Sequence, residues 1–102
     1  MIVSPANFKK TWGYKYVCFS DGQVLFTEAG NINCSHRQLV EGQPDKKAVS
    51  AGTIMIRRKL WTIFEGGSES AKLPRLPKDE DQIEKVLEPY GFVHVQDLPK
   101  SL

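Results

Sequence analysis

The chain has 102 residues, a length that fits one domain over residues 1–102 with a single modest hydrophobic core. Charged residues make up 25% of the chain and hydrophobic residues 40%, a balance that excludes wholesale disorder, and the formal charge of +2 gives no strong overall field. No run approaches the roughly 18 apolar residues of a membrane-spanning helix, so no membrane partner is expected.

The first predicted elements are a short helical turn and a β-hairpin. Ser4-Pro5 is typical of the cap and first position of a helical turn. Residues 14–20 are rich in aromatic and β-branched side chains, which favours a strand. Asp21-Gly22 then supplies two positions that tolerate positive φ, so residues 23–28 are predicted to return as the second strand.

A thiol, a hydroxyl and an imidazole follow one another at Cys34, Ser35 and His36. Ser35 and Gln38 match a capping box, which predicts a brief helical turn ended by Gly42. If the segment is extended instead, Cys34 and His36 share one face, and the thiol could become a low-pKa thiolate. Two interpretations stay open: a buried cysteine before a helix cap, or an enzyme that uses Cys34 or Ser35 with His36.

A second hairpin is predicted over residues 48–64, with Gly52 marking a bulge or a close backbone approach. Its turn, Arg57, Arg58 and Lys59, has poor chemistry because neither residue type favours positive φ. These cations could contact a phosphate backbone while nearby aromatic rings stack on bases, which gives a nucleic-acid-binding hypothesis. The alternative is a solvated turn, and nucleic acid is therefore not an expected partner.

The next segment contains Gly66, Gly67, Ser68 and Ser70. A phosphate-binding loop needs its glycines to open into a helix, usually with a Lys-Ser/Thr pair. Here Glu69 and then prolines follow, so a loop without nucleotide binding is predicted.

One clear helix is predicted from Glu80 to about Glu88, capped by Asp79, because Ile83, Val86 and Leu87 form one apolar stripe. Pro89 and Gly91 end the helix, and residues 92–95 are predicted to form a terminal strand.

The charged residues are distributed unevenly between this helix and the part of the chain before it. Residues 1–78 hold twelve basic and six acidic side chains, whereas residues 79–88 hold five acidic and one basic. An anionic partner is therefore expected to approach the hairpins and not the helix.

The two cysteines, Cys18 and Cys34, bear on location and metal binding. The N-terminus has no charged stretch followed by an apolar one, so no secretory signal is predicted and a cytoplasmic location with free thiols is expected. A disulfide in an exported protein is the alternative. Structural zinc takes four closely spaced Cys/His ligands, and the available residues are scattered, so no metal or cofactor is expected.

Four short stretches fall in a recognisable order: residues 33–36, 39–42, 50–53 and 67–70, followed by Pro74, the helix and a Gly-Phe pair. This order resembles a module of plant IQ-motif calmodulin-binding proteins and of some bacterial toxin-like proteins, with motifs His-Ser-Ser-Phe, Leu-Ala-Gly-Gly, Ala-Ala-Gly-Glu and Ser-Gly-His-Tyr. The leading His of the first motif is absent from the start of residues 33–36, and Glu69 and Ser70 replace His and Tyr of the last. The resemblance implies a topology and no activity.

Together these elements predict a small α+β domain. The sheet is expected to be twisted and antiparallel, or a half-barrel, with about five to six strands and one main helix packed on it near the C-terminus. The helix stripe is expected to meet these apolar sheet residues: Val17, Phe19, Leu25, Ile54, Ile56 and Ile63.

The leading functional hypothesis is a small, soluble, non-catalytic binding module for an unknown small ligand or protein partner. Its candidate site joins two segments that the fold would have to bring together: Cys34, Ser35 and His36 with Gly66, Gly67, Ser68 and Ser70. A homodimer formed by pairing of an exposed strand is a further possibility in so small a sheet protein.

Overall fold

The computed structural model describes residues 2–30, 33–96 and 98 of the chain. Its elements follow the predicted order, with short 3₁₀ turns at Pro5–Asn7 and Glu88–Tyr90. The strands and α-helices are β1 (Thr11–Phe19), β2 (Val24–Glu28), α1 (His36–Glu41), β3 (Ala48–Arg57), β4 (Leu60–Gly66), α2 (Asp79–Leu87) and β5 (Val93–His94).

The strands form one open sheet in the order β2-β1-β3-β4-β5. The first three pairings are antiparallel, whereas β5 runs parallel to β4 over two residue pairs. The α+β class with one main helix near the C-terminus is confirmed, and the sheet is mixed and not closed. The parallel pair has a simple cause: α2 carries the chain back across the sheet before β5 begins, which is the crossover that parallel neighbours require.

Both predicted hairpins form. In the first, the last strand pair is Cys18 with Val24, and only Gly22 of the Asp21-Gly22 pair has a positive φ, 95°, so the two-residue turn that this pair predicts does not form. The Asp21 carboxylate instead accepts a hydrogen bond from the backbone N–H of Gln23. In the second, Arg57 pairs with Leu60, so the loop consists of only two residues, both with positive φ. Strand pairing therefore imposes a left-handed turn on two residue types that disfavour it.

The two faces of the sheet are covered by different elements. Residues from α2 join one core, which consists of Tyr14, Tyr16, Cys18, Val24, Phe26, Ile54, Ile56, Trp61, Ile83, Leu87 and Phe92. The other core contains Leu39 of α1 together with Val17, Phe19, Leu25, Cys34 and Ala51. The prediction that Val17, Phe19 and Leu25 meet α2 is wrong, because alternate residues of β1 and β2 point to opposite faces and both faces are buried there.

The helix starts show one prediction confirmed and one wrong. The Ser35 capping box forms in full: its hydroxyl accepts from the N–H of Gln38, and the Gln38 side chain accepts from the N–H of Ser35. Asp79, by contrast, does not cap a helix starting at Glu80. It is the first residue of α2, and its carboxylate is fully buried against the sheet.

Candidate functional site

The sheet face that packs on α1 is covered at one end only. Beyond α1, a cleft of about 440 Å³ opens over β1, β3 and β4. Its polar lining consists of Lys15, Ser35, His36, Thr53, Glu65, Ser68, Glu69 and Ser70. The small and apolar lining consists of Gly13, Ala29, Met55, Phe64 and Gly67.

The cleft brings together the two segments proposed from the sequence. Five of the seven predicted ligand-binding residues line it: Ser35, His36, Gly67, Ser68 and Ser70. The other two do not. Cys34 is only 4% exposed and packs in the core beneath α1. Gly66 faces Arg75, whose Cδ lies 2.7 Å from the place where a Cβ on this glycine would stand.

Backbone hydrogen bonds hold the loop after β4 over the sheet. The N–H of Gly67 donates to the carbonyl of Ala51 at 2.8 Å, and Gly67 has a φ of 80°, which favours glycine. Ser68 and Leu73 then exchange two backbone hydrogen bonds at 2.8 and 3.1 Å. The loop is therefore a closed turn anchored to β3, and its serines project from a fixed base.

His36 has a defined protonation pattern. Its Nε2 lies 2.7 Å from the carbonyl oxygen of Gly52, which can only accept, so Nε2 carries a proton. Burial lowers the pKa of His36, opposed by the Gly52 hydrogen bond and by Glu65 and reinforced by Lys15. At neutral pH the ring is therefore neutral, and Nδ1 is left as a hydrogen-bond acceptor.

The other polar groups of the cleft are of mixed character. The hydroxyls of Ser68 and Ser70 lie 3.3 Å apart, and Ser68 Oγ also accepts from the N–H of Ala71. Lys15 Nζ donates to the carbonyl of Cys34 at 3.1 Å. Within the described part of the chain, neither Glu65 nor Glu69 forms an ion pair.

Eight cleft residues did not enter the predicted site: Gly13, Lys15, Ala29, Thr53, Met55, Phe64, Glu65 and Glu69. Phe64 is 66% exposed, the highest value among the large hydrophobic side chains in the described residues. Strand alternation carried the signal for Lys15, Thr53 and Met55, since Lys15 falls two positions from Val17, and Thr53 and Met55 are two apart on β3. That signal required knowing which face the helix α2 leaves open.

The geometry bears on the enzyme alternative. Among the described residues no hydrogen bond joins Ser35 to His36, and the Ser35 hydroxyl is engaged as a helix cap. Burial raises the pKa of the Cys34 thiol, but hydrogen bonding to the sulfur and the nearby Lys15 ammonium outweigh it and leave the pKa below the ordinary value. This sulfur lies in the core and does not line the cleft, so it is not presented to a molecule bound there.

A second polar cluster, which the sequence did not predict, lies on the α2 side of the sheet. The Asp79 carboxylate accepts from the hydroxyls of Tyr16 at 2.8 Å and Ser50 at 2.5 Å, and from the N–H of Leu76 at 3.1 Å. Burial and the Asp79 charge raise the pKa of Tyr16, and burial raises the pKa of Cys18 to about 12. Both side chains therefore keep their protons, and the cluster ties α2 to the sheet.

The three cations of the second hairpin turn do not act together. Arg57 lines the uncovered sheet face beside Met55 and Thr62, whereas Arg58 and Lys59 line a separate pocket on the α2 side. The cause is that Arg57 is still part of β3, so its side chain follows the alternation of the strand.

No family model, curated protein or solved structure matches the chain. No helix among the described residues is long and apolar enough to cross a membrane. Cys18 and Cys34 are both buried and neither forms a disulfide, and the described residues contain no group of three or more His, Cys, Asp or Glu side chains placed to hold a metal ion.

Proposed function

We propose that the protein is a non-catalytic binding module that takes a small polar ligand in the cleft between α1 and the 67–70 loop. The observation that carries the proposal is the convergence of two segments about thirty residues apart on one cleft of about 440 Å³, a volume in the range of ligand sites. The alternative of a solvated surface gives no reason for these polar groups to converge.

The lining supports a ligand that carries charges of both signs. Lys15 stands on one side of the cleft, and Glu65 and Glu69 lie on the β4 side. Neither glutamate forms an ion pair in the described residues. The neutral His36 ring and the serine hydroxyls add hydrogen-bonding groups of both kinds. Phe64 offers an exposed ring for an apolar part of the ligand.

A steric test follows from strand alternation. Thr53 lines the cleft, whereas Thr62 lies in the neighbouring strand and faces a different depression of the same sheet face. The substitution Thr53→Tyr should fill the cleft, and Thr62→Tyr is its matched control, since both positions are half-buried in strands that favour aromatic residues.

The experiment is a thermal-shift screen of small zwitterionic and polar metabolites, with calorimetric titration of each hit. We expect hits to bind the wild type and Thr62→Tyr equally and to lose binding to Thr53→Tyr. Glu65→Gln should weaken the binding of cationic or zwitterionic hits, with Glu84→Gln on α2 as the charge control. Hits that bind Thr53→Tyr as tightly as the wild type would refute the cleft as the site.

A further inference from the structure

The turn between β3 and β4 combines backbone strain with positive charge. Arg58 has a φ of 49° and Lys59 a φ of 69°, the left-handed values of a two-residue type I′ turn. Such turns favour Asn-Gly, because long side chains clash with the backbone in this conformation. The chain instead carries two cations there, and strain of this kind at a surface turn points to a role for the side chains.

The turn borders a pocket of about 280 Å³ with an apolar floor and a cationic rim. Phe8, Ile56 and Phe92 form the floor. Lys9 and Lys10 together with the Arg58–Lys59 turn form the rim. This pocket lies on the α2 side of the sheet and shares no lining residue with the cleft of the proposed function.

Hydrogen bonds fix the two cationic segments side by side. The N–H of Arg58 donates to the carbonyl of Lys10 at 2.8 Å. Lys59 Nζ donates to the carbonyl of Tyr90 at 3.0 Å and lies 4.3 Å from the centroid of the Phe92 ring. The rim is therefore held in place by the fold before any ligand binds.

Most of the rim charge is uncompensated. Lys9 contacts Glu28 at 3.5 Å, an exposed and weak pair. Within the described residues Lys10, Arg58 and Lys59 form no ion pair. An anionic group that enters the pocket would meet three such cations beside an apolar surface.

A further aromatic ring, outside the pocket, adjoins the rim. Trp12 is 40% exposed, and Lys9 Nζ lies 4.3 Å from its ring centroid. Trp12 pairs with Ile56 of the pocket floor across β1 and β3. The surface thus offers two neighbouring places for planar groups, each beside a cation. Beyond Phe92 lie the acidic side chains of Glu84 and Glu88.

We propose that this surface binds single-stranded nucleic acid, with one base in the pocket, a neighbouring base against Trp12 and the phosphates on Lys10, Arg58 and Lys59. A nucleotide strand repeats a planar ring and a negative charge, which is the pattern that the surface complements. A mononucleotide would fill only one of the two places. A duplex keeps its bases stacked inside, and an acidic peptide has no ring beside each charge.

The direct test replaces the strained turn with its preferred sequence. Arg58→Asn/Lys59→Gly should keep or raise the unfolding temperature, because Asn-Gly fits a type I′ turn. The same variant should bind a fluorescein-labelled dT12 or rU12 oligonucleotide at least tenfold more weakly in fluorescence anisotropy at 50 mM salt. Lys72→Gly is the matched control, since Lys72 is an exposed cation with a φ of 55° outside the pocket, and it should bind like the wild type.

The salt dependence of the affinity and the affinity for an abasic strand identify the class of partner. For the wild type, the logarithm of the affinity should fall against the logarithm of the salt concentration with a slope of about −2, since about three contacts with single-strand phosphates each add roughly −0.7. An abasic dodecamer should bind at least fivefold more weakly than dT12, because it keeps the phosphates and lacks the stacking bases.

Several results would overturn the proposal. One is that the Asn-Gly variant binds the oligonucleotide as tightly as the wild type does. Another is that the wild type binds the abasic strand or AMP as tightly as dT12. A third is that it binds a duplex or an oligo-glutamate peptide more tightly than dT12. If the double variant does not fold, Lys10→Gln tests the proposal instead, because it leaves the turn intact. It should weaken binding about threefold or more, and unchanged binding would refute the proposal.

Discussion

The two faces of the sheet carry polar groups in opposite ways. On the α2 face, Asp79 is fully buried and accepts three hydrogen bonds, two of them from the side chains of Tyr16 and Ser50. On the other face, the polar residues of the cleft are half-buried or exposed, and several have no side-chain partner in the described residues. The first arrangement stabilises the fold, and the second leaves groups available for a ligand.

Gly52 is the point where the two faces meet. A Cβ at this residue would lie 2.6 Å from the carbonyl oxygen of Glu65 and 2.7 Å from the ring of Tyr16, whose hydroxyl reaches Asp79. The carbonyl of the same residue accepts from His36 in the cleft. Because Gly52 has no side chain, the Tyr16 ring of the buried cluster can pack against β3 at the residue whose carbonyl binds His36 of the cleft.

The largest expected effect is on the buried cluster. Asp79→Ala should lower the free energy of unfolding by roughly 3 kcal/mol, because it leaves buried hydroxyl donors without an acceptor. Urea denaturation measures this loss. Asp81→Ala removes an exposed carboxylate from the same helical turn and should lower it by about 0.5 kcal/mol or less. Equal losses for the two variants would erase the difference between the faces.

A smaller loss is expected at the shared strand. Gly52→Ala should lower the free energy of unfolding by about 2 kcal/mol, because backbone and a buried tyrosine ring must shift to admit a methyl group. Gly30→Ala is the control, since its Cβ would meet only the Trp12 ring at 3.8 Å. If Gly52→Ala leaves the free energy of unfolding unchanged in the same assay, the packing of Tyr16 and Glu65 against Gly52 is not tight.

His36 gives the cleft face a dependence on pH. Its folded-state pKa lies below the ordinary value of 6.5, so the unfolded chain binds more protons between those two values. The contribution of His36 to the free energy of unfolding is therefore fully present above about pH 6.5, and it is lost as the pH falls from there through the folded-state pKa. The free energy of unfolding should drop less between pH 7.5 and 5 in His36→Gln than in the wild type. A larger drop would contradict the neutral, buried imidazole.

The smallest effect is expected at the exposed ring of the cleft. Phe64→Ser should change the free energy of unfolding by less than about 0.5 kcal/mol, because the side chain is largely solvated already. The same denaturation curves measure it. A loss comparable with that of Gly52→Ala would mean that Phe64 supports the fold instead of the cleft.

The sequence predicted features that depend on local chemistry. The Asp21-Gly22 hairpin and the Ser35 capping box follow from a few neighbouring residues, and both are confirmed. The convergence of His36 with the 67–70 loop was conditional on the fold, which brings them onto one cleft. The order of motifs that resembles the IQ-motif module stays a prediction.

Features that depend on which sheet face a helix covers could not be predicted. β1 is buried on both faces, so alternation gave no sign that Val17 and Phe19 point away from α2. Asp79 matched a helix cap by position, and only the packing of α2 shows that its carboxylate turns inward to Tyr16. Cys34 has the chemistry of a reactive group, but its side chain completes the core beneath α1.

The central claim is that the open half of the sheet is a ligand site. The most direct test is a two-dimensional ¹⁵N–¹H NMR titration of the wild type with the tightest hit from the metabolite screen. The amide signals of His36, Thr53, Glu65 and Gly67 to Ser70 should shift together with one dissociation constant, and Thr53→Tyr should abolish the shifts. Shifts that cluster instead around Lys10, Arg58 and Lys59, or that scatter over the chain, would contradict the claim.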